Sequence, residues 1–349
     1  MSNIILSICI PTFQRAPFIK NLLESIIEQL NSQVENEVEV VISDNASNDG
    51  TEQIVFNFKD KIKNLTYFCW DKNMGYDRNL VKVVELAKGY YCWLMGSDDL
   101  LNKKSLSEII IELKKNNYDV ITFDRVDMNQ NMTEVIGYSS PVKLKRSFTF
   151  DTKNKKELIY YLKSVDNMMG FFTYISSIIV KKEVWNSVKN YENFYGTEYI
   201  HLFFMLSILK KGAILRYINK PYVICRMHDE GIETKGILFR VQTDNDAFFS
   251  FIKHIFKSNS REYKIITKKL VLNLGCYPLL LSKLNPSLSG ETFRVFNLCI
   301  KYYWQNPHFW LKSILILFMP KFLLKLLYFN YRKYKNIKNE NSSSNLRPH

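Results

Sequence analysis

The sequence predicts an α/β protein with a mostly parallel sheet, helices on both faces of it, and a helical appendage at the C-terminal end. Three observations carry this. Through the first 125 residues, β-branched runs alternate with amphipathic stretches. Polar and charged residues gather after each apolar run. The whole net charge of +14 lies in the last hundred of 349 residues.

The elements follow in order. "IILSICI" (4–10) is a β-branched run closed by Pro11. In 16–30, Phe18, Ile19, Leu22, Leu23, Ile26, Ile27 and Leu30 share one helical face. "VEVVIS" (38–43) reads as a strand, "TEQIVFNF" (51–58) as a helix and "LTYFCW" (65–70) as a third strand. A helix over 76–89 stops at Gly89. "YYCWLM" (90–95) is a strand, 104–117 a helix and "YDVITF" (118–123) a fifth strand. Such alternation builds a parallel sheet, whose ligands bind at the carboxyl ends of the strands.

Composition excludes several classes. Hydrophobic residues are 46%, enough for a sizeable core. Six cysteines lie scattered without a Cys-x-x-Cys pair, which argues against a disulfide frame or a zinc site. The N-terminal apolar run is short and has no basic start, so it is expected to be a strand rather than a signal peptide, in a cytoplasmic protein. No G-x-G-x-x-G or P-loop follows the first strand, which disfavours dinucleotide oxidoreductases and P-loop NTPases.

The strand exits carry "PTFQR" (11–15), "DNASNDGT" (44–51), "DKNMGYDRN" (71–79) and "GSDD" (96–99). Any one polar loop is ordinary. Four in succession on one rim mark a candidate site. Asp98 and Asp99 close an apolar strand with two negative charges. The pair suits Mg²⁺ or Mn²⁺, which takes one or two carboxylates plus substrate phosphates. It suits equally the N-cap and first turn of the next helix.

In order and spacing, "LSICIPTFQR", "VVISDNASNDGT", "NMGYDRNL" and "WLMGSDD" resemble the nucleotide-binding half of family-2 glycosyltransferases, inverting enzymes of the GT-A fold. The resemblance spans about residues 4–230. It implies that Pro11, Thr12, Asp44, Asn73 and Arg78 bind the nucleotide-sugar, with Asp98 near the ribose and Asp99 on the metal. "CRMHDEG" (225–231) resembles the family's Arg-x-His, which would make His228 a further metal or diphosphate contact and place Arg226 nearby, on the nucleotide-sugar. The family's Glu-Asp before an acceptor-side helix is here Glu198-Tyr199, closer to the abequosyltransferase-like branch of bacterial sugar transferases. The base therefore stays open between Glu198 and His201. At i and i+3 of a helix expected over 196–206, these two would share a face. The altered pair also leaves room for a second function, a non-catalytic nucleotide-sugar-binding or scaffold protein.

Residues 1–249 hold 31 basic and 31 acidic side chains, against 17 and 3 in residues 250–349. This places a catalytic domain at 1–249, with a nucleotide half (1–125) and an acceptor half (126–249). A basic amphipathic region follows at 250–336, and a disordered tail at 337–349. Lysines and Pro320 interrupt 302–336 well short of the ~20 apolar residues of a spanning helix. Beyond Pro320 a helix would group Lys321, Lys325, Tyr328, Arg332 and Lys335 on one face and leucines and phenylalanines on the rest. That pattern suits peripheral attachment to an anionic membrane surface better than nucleic acid. The resemblance completes the expectation: a metal-dependent sugar transferase at the inner face of a bacterial cytoplasmic membrane, acting on a polyprenyl-linked glycan in surface polysaccharide or O-antigen synthesis.

Overall fold

The computed structural model describes residues 4–32, 34–227 and 235–330. The chain divides into two compact units, Met1–Met227 and His228–His349. The charge boundary at 249 falls inside a helix of the second unit, because packing follows apolar surface while the charge excess follows surface lysines.

In the first unit, β1 (Leu6–Thr12) is flanked in parallel by β2 (Val38–Asp44) and β4 (Tyr91–Leu94), and β2 pairs with β3 (Leu65–Cys69). Every residue of β1, β2 and β4 is buried, as expected of parallel strands covered on both faces. The helices α1 (Ala16–Ile27), α2 (Thr51–Phe56) and α4 (Ser105–Lys115) share one core cluster with Ile8, Ile10, Val40 and Ile42. Truncating Leu22, fully buried in that cluster, would cost about 2–5 kcal/mol. The helix α3 (Tyr76–Leu86) packs on β1 and β2 outside that cluster.

The fifth expected strand is β6 (Val120–Met128), but it does not touch β4. Between them lies β9 (Ile178–Lys181), antiparallel to both. The sheet continues through β10 (Ile214–Arg226), parallel to β6, to the two-residue β5 (Leu100–Leu101). Its order is β3-β2-β1-β4-β9-β6-β10-β5, with β7 (Val135–Ser139) on β6 and β8 (Phe148–Asp151) on β10. Two helices, α5 (Lys155–Ser164) and α6 (Lys182–Asn186), precede α7 (Ile200–Lys211). Almost all of α7 is buried, so it is a core helix without a solvent face. The strand order reverses around β1, which puts the crevice outside the carboxyl ends of β1, β2 and β4.

The second unit is helical: α8 (Ile237–Ile255), α9 (Arg261–Leu270), a π-helical stretch (Val271–Cys276), α10 (Tyr277–Leu284), α11 (Thr292–Tyr303), α12 (Pro307–Phe318) and α13 over 321–330. A Cβ at Gly275 would stand 3.1 Å from the Tyr303 ring, so the glycine admits that ring into the core. The Tyr303 hydroxyl donates to buried Asn245 Oδ1 at 2.5 Å. Asn306 caps α12, and Pro320 separates α12 from α13 as expected. The expected helix face beyond residue 330 and the tail at 337–349 lie outside the described residues.

Candidate active site

The β1 and β2 exits are stitched together by side-chain amides and carboxylates. Pro11 and Thr12 end β1, and the buried Thr12 hydroxyl has no hydrogen-bond partner among the described residues. Asp44, fully buried at the end of β2, accepts from the Tyr67 hydroxyl at 2.8 Å and from the Ser47 hydroxyl at 2.6 Å. Asn45 donates to Asn73 Oδ1 at 2.7 Å, and Asn73 Oδ1 also accepts the Gly75 N–H at 2.8 Å. Asn73 is thus engaged in shaping its own loop. Asn79 joins three elements: its amide donates to the Ser43 and Thr12 carbonyls, and its oxygen accepts from Ser43 and the Trp70 indole. Arg78, on the first turn of α3, is exposed and stacks 4.3 Å over the Tyr195 ring.

The β4 exit folds both carboxylates back over Gly96. A Cβ there would stand 3.0 Å from Asp99 Oδ2 and 3.1 Å from Asp98 Oδ1, so both carboxylates lie over the same glycine. Asp99 is buried and accepts from the Tyr174 hydroxyl at 2.8 Å, the Ser176 hydroxyl at 2.5 Å and the Arg226 backbone N–H at 3.3 Å. Burial first, then the charge of Asp98, pushes its carboxyl up to about 7. Asp98 is partly exposed, with Arg15 at 3.9 Å. Arg226 donates from Nε to the Asp98 carbonyl at 3.3 Å and from Nη1 to the Gln130 carbonyl at 2.5 Å, and its guanidinium lies 4.8 Å over Phe18. It braces the carboxylate loop from behind. Arg125, stacked 4.1 Å over Tyr174, opposes the rise of the Asp99 carboxyl.

This geometry excludes one of the two sequence readings of the pair, the helix cap. The next helix starts at Ser105 behind Lys104, with β5 in between, so neither aspartate caps it. Two carboxylates over the same glycine, one of them buried, fit a divalent cation that would offset their mutual repulsion. Among the described residues no group of three or more His, Cys, Asp or Glu side chains could hold a metal. A cation completed by substrate phosphates needs only one or two carboxylates. His228 lies outside the described residues.

On the acceptor side the expected helix face is absent. α7 begins at Ile200, and Glu198 sits two residues before it with φ of +62°, a left-handed conformation that breaks the helix. Glu198 and His201 therefore do not share a face. His201 is buried, its ring 6.1 Å from that of Tyr76 and 5.9 Å from that of Tyr199. Neither ring nitrogen makes a well-formed hydrogen bond among the described residues, and burial lowers its pKa to about 3, with the Thr173 backbone acting in the opposite direction. It stays neutral and buried in the core.

The loop before α7 is held by a residue that sequence reasoning missed. Asp77, buried on the first turn of α3, accepts N–H bonds from Gly196 at 2.8 Å, Glu198 at 3.0 Å and Ile200 at 3.1 Å. The two sides meet around Tyr76. Burial raises its hydroxyl pKa, and the charges of Asp77, Asp98 and Glu198 all add to that rise. Tyr174 and Ser176 were missed too, because they reach Asp99 from a part of the chain without periodicity. For Asp77 and Asn79 a signal existed: polar residues at buried positions of an otherwise apolar helix face.

Comparison with known proteins fits this arrangement. Residues 7–179 match Glycosyl transferase family 2. Abequosyltransferase RfbV of Salmonella typhimurium is 34% identical over 264 residues, which cover 73% of this chain and 76% of that protein. The GalNAc(5)-diNAcBac-PP-undecaprenol beta-1,3-glucosyltransferase of Campylobacter jejuni is 23% identical over 232 residues, covering 66% and 67%. Among solved structures, Staphylococcus aureus TarS 1–349 in complex with UDP aligns with a TM-score of 0.59 at 17% identity, over 99% of this chain and 93% of that one. The mannosyltransferase PcManGT of Pyrobaculum calidifontis, in complex with GDP-Man and Mn²⁺, aligns with a TM-score of 0.55 at 16% identity, over 86% and 87%. Both structural likenesses speak for the fold. The chain is a glycosyltransferase of the GT-A fold, related to transferases of O-antigen and polysaccharide synthesis, and it belongs to glycosyltransferase family 2.

Proposed function

We propose that this enzyme transfers a hexose or deoxyhexose, with inversion, from a nucleoside-diphospho-sugar to a hydroxyl of a polyprenyl-linked glycan. The observation that carries the proposal is the placement of Asp98 and Asp99 over Gly96 at the switch of strand order. The deoxyhexose follows the abequosyl relative, and the lipid-linked acceptor follows the Campylobacter relative, whose name specifies an undecaprenol diphosphate.

Pro11, Thr12, Asp44 and Arg78 border the nucleoside, on a rim that Asn73 and Asn79 hold in shape. Glu198 takes the proton from the acceptor hydroxyl. The acceptor oxygen forms a bond to the anomeric carbon from the face opposite the diphosphate. The bond from that carbon to the diphosphate oxygen breaks, and its electron pair leaves with the nucleoside diphosphate. Asp99, with Asp98 beside it, would hold a Mg²⁺ or Mn²⁺, which supplies Lewis-acid stabilisation of the leaving diphosphate. Arg226 keeps the carboxylate loop in register by its bond to the Asp98 carbonyl.

The test is thermal stabilisation by a panel of nucleoside diphosphates, with and without Mn²⁺. One nucleotide should stabilise the wild type, more strongly with the metal. Asp99→Ala should keep the fold and lose only the metal-dependent increment. A variant that keeps that increment, or a wild type that responds to no nucleotide, overturns the proposal.

A further inference from the structure

The last two helices of the second unit carry one surface pattern twice. In α12, Leu311, Leu315 and Phe318 fall at i, i+4 and i+7, and in α13 Phe322, Leu326 and Phe329 repeat the spacing. All six are at least 52% exposed. At 100° per residue each trio spans an arc of about 60°. The buried residues lie on the opposite side: Phe309 and Ser313 in α12, Leu324 in α13. A surface helix ordinarily turns its apolar stripe inward. These two pack one face and present a second apolar stripe outward. Exposed apolar stripes of this kind mark a contact.

The charge identifies the partner. From Thr292 to Asn330 there is no acidic residue, while Arg294, Lys301, Lys312, Lys321 and Lys325 are basic. Lys312 borders the first stripe and Lys325 the second. An apolar stripe edged only by cations matches an anionic bilayer, which offers an acyl layer beneath phosphate headgroups. The stripe is also held in place. Lys283 Nζ donates to the carbonyls of Ile316, Leu317 and Met319 at 2.5–2.7 Å and anchors the end of α12.

We propose that α12 and α13 form a membrane-docking face that lies in the interface of an anionic bilayer, with Phe318 and Phe322 leading on either side of Pro320. The contact is peripheral. The stretch Arg261–Leu284 is long and apolar enough to cross a membrane by length and composition, but 44% of its apolar window is buried inside the structure. Its Lys283 is tied to α12. The sequence places leucines and phenylalanines beside the lysines beyond Pro320, and α12 adds an exposed apolar stripe before it.

The experiment is flotation of the full-length chain with liposomes of phosphatidylcholine alone or in equimolar mixture with phosphatidylglycerol. Wild type should float with the anionic vesicles, and high salt should release it. Leu315→Ser/Phe318→Ser/Phe322→Ser, at exposed positions, should lower partitioning by ~10-fold or more with an unchanged melting temperature and unchanged nucleotide response. Lys312→Glu/Lys325→Glu should lower it by about fivefold per charge, on anionic vesicles only. Three results overturn the proposal: triple-variant flotation equal to wild type, equal binding to neutral and anionic vesicles, or retention through high salt and alkaline carbonate. A triple variant that loses self-association while floating normally overturns it as well, since the face then serves a second copy of the chain.

Discussion

Two loops of the first unit each carry a carboxylate of the proposed site, and their backbones and side chains are supported differently. At the β4 exit, Asp99 is buried and its own oxygens are gripped by two hydroxyls and a backbone N–H. At the α7 entrance, Glu198 is half-buried on left-handed backbone, and the grip falls on the main chain through Asp77. The first loop fixes a charge. The second fixes the backbone that carries the carboxylate. A cation ligand needs the first kind of support, since its oxygens must not move. A base that follows an acceptor hydroxyl needs the second.

If that contrast holds, the variants separate by readout. Asp99→Ala should have the largest effect on turnover, about 10³-fold or more, because it removes the stabilisation of the leaving group. Its nucleotide response falls with it. Glu198→Gln should lower turnover by roughly 10²–10⁴-fold and leave nucleotide affinity unchanged, since the base touches only the acceptor. Weaker nucleotide binding in Glu198→Gln would remove the distinction between the loops. Asp77→Ala should lower turnover by ~10-fold or more by releasing the Glu198 backbone, and cost about 2–4 kcal/mol of stability through three orphaned N–H groups. Asp77→Asn, which keeps one acceptor oxygen, should recover part of the turnover. Full activity in Asp77→Ala would show that Glu198 needs no such support.

The smallest effect on activity belongs to His201. Its folded pKa of about 3 lies below the ordinary value of 6.5, so the unfolded chain binds the extra proton first. Its contribution to stability is complete above pH 6.5 and is lost as pH falls from there towards 3. By pH 5 the loss is about 2 kcal/mol. Urea melts of wild type and His201→Phe between pH 5 and 7.5 should show a shallower acid loss in the variant. Turnover at pH 7.5 should change little. A large drop there would return His201 to the reaction.

What was legible follows the range of the forces that carry it. The helix at Ala16–Ile27 and the strands at 38–44 and 65–69 fell within a few residues of expectation, because burial on one face writes a period into the sequence. The carboxylate pair was legible because two adjacent charges end an apolar strand. Ile178–Lys181 was not, since three apolar residues and a lysine carry too little pattern to name their neighbours in a sheet. Glu198 was misplaced for a related reason. Nothing in a glutamate announces left-handed backbone, and the carboxylate that holds it there lies 121 residues away.

That short strand has a consequence for synthesis. Until residues 178–181 are available, neither β4 nor β6 has its neighbour on that side, and β4 would show an open hydrogen-bonding edge along "YCWL". Such an edge readily recruits another chain. The nucleotide half therefore does not mature as a separate module. A nascent chain that has just completed β6 must wait for some fifty more residues before its sheet can close, and the interval between those two events is when it most needs a chaperone.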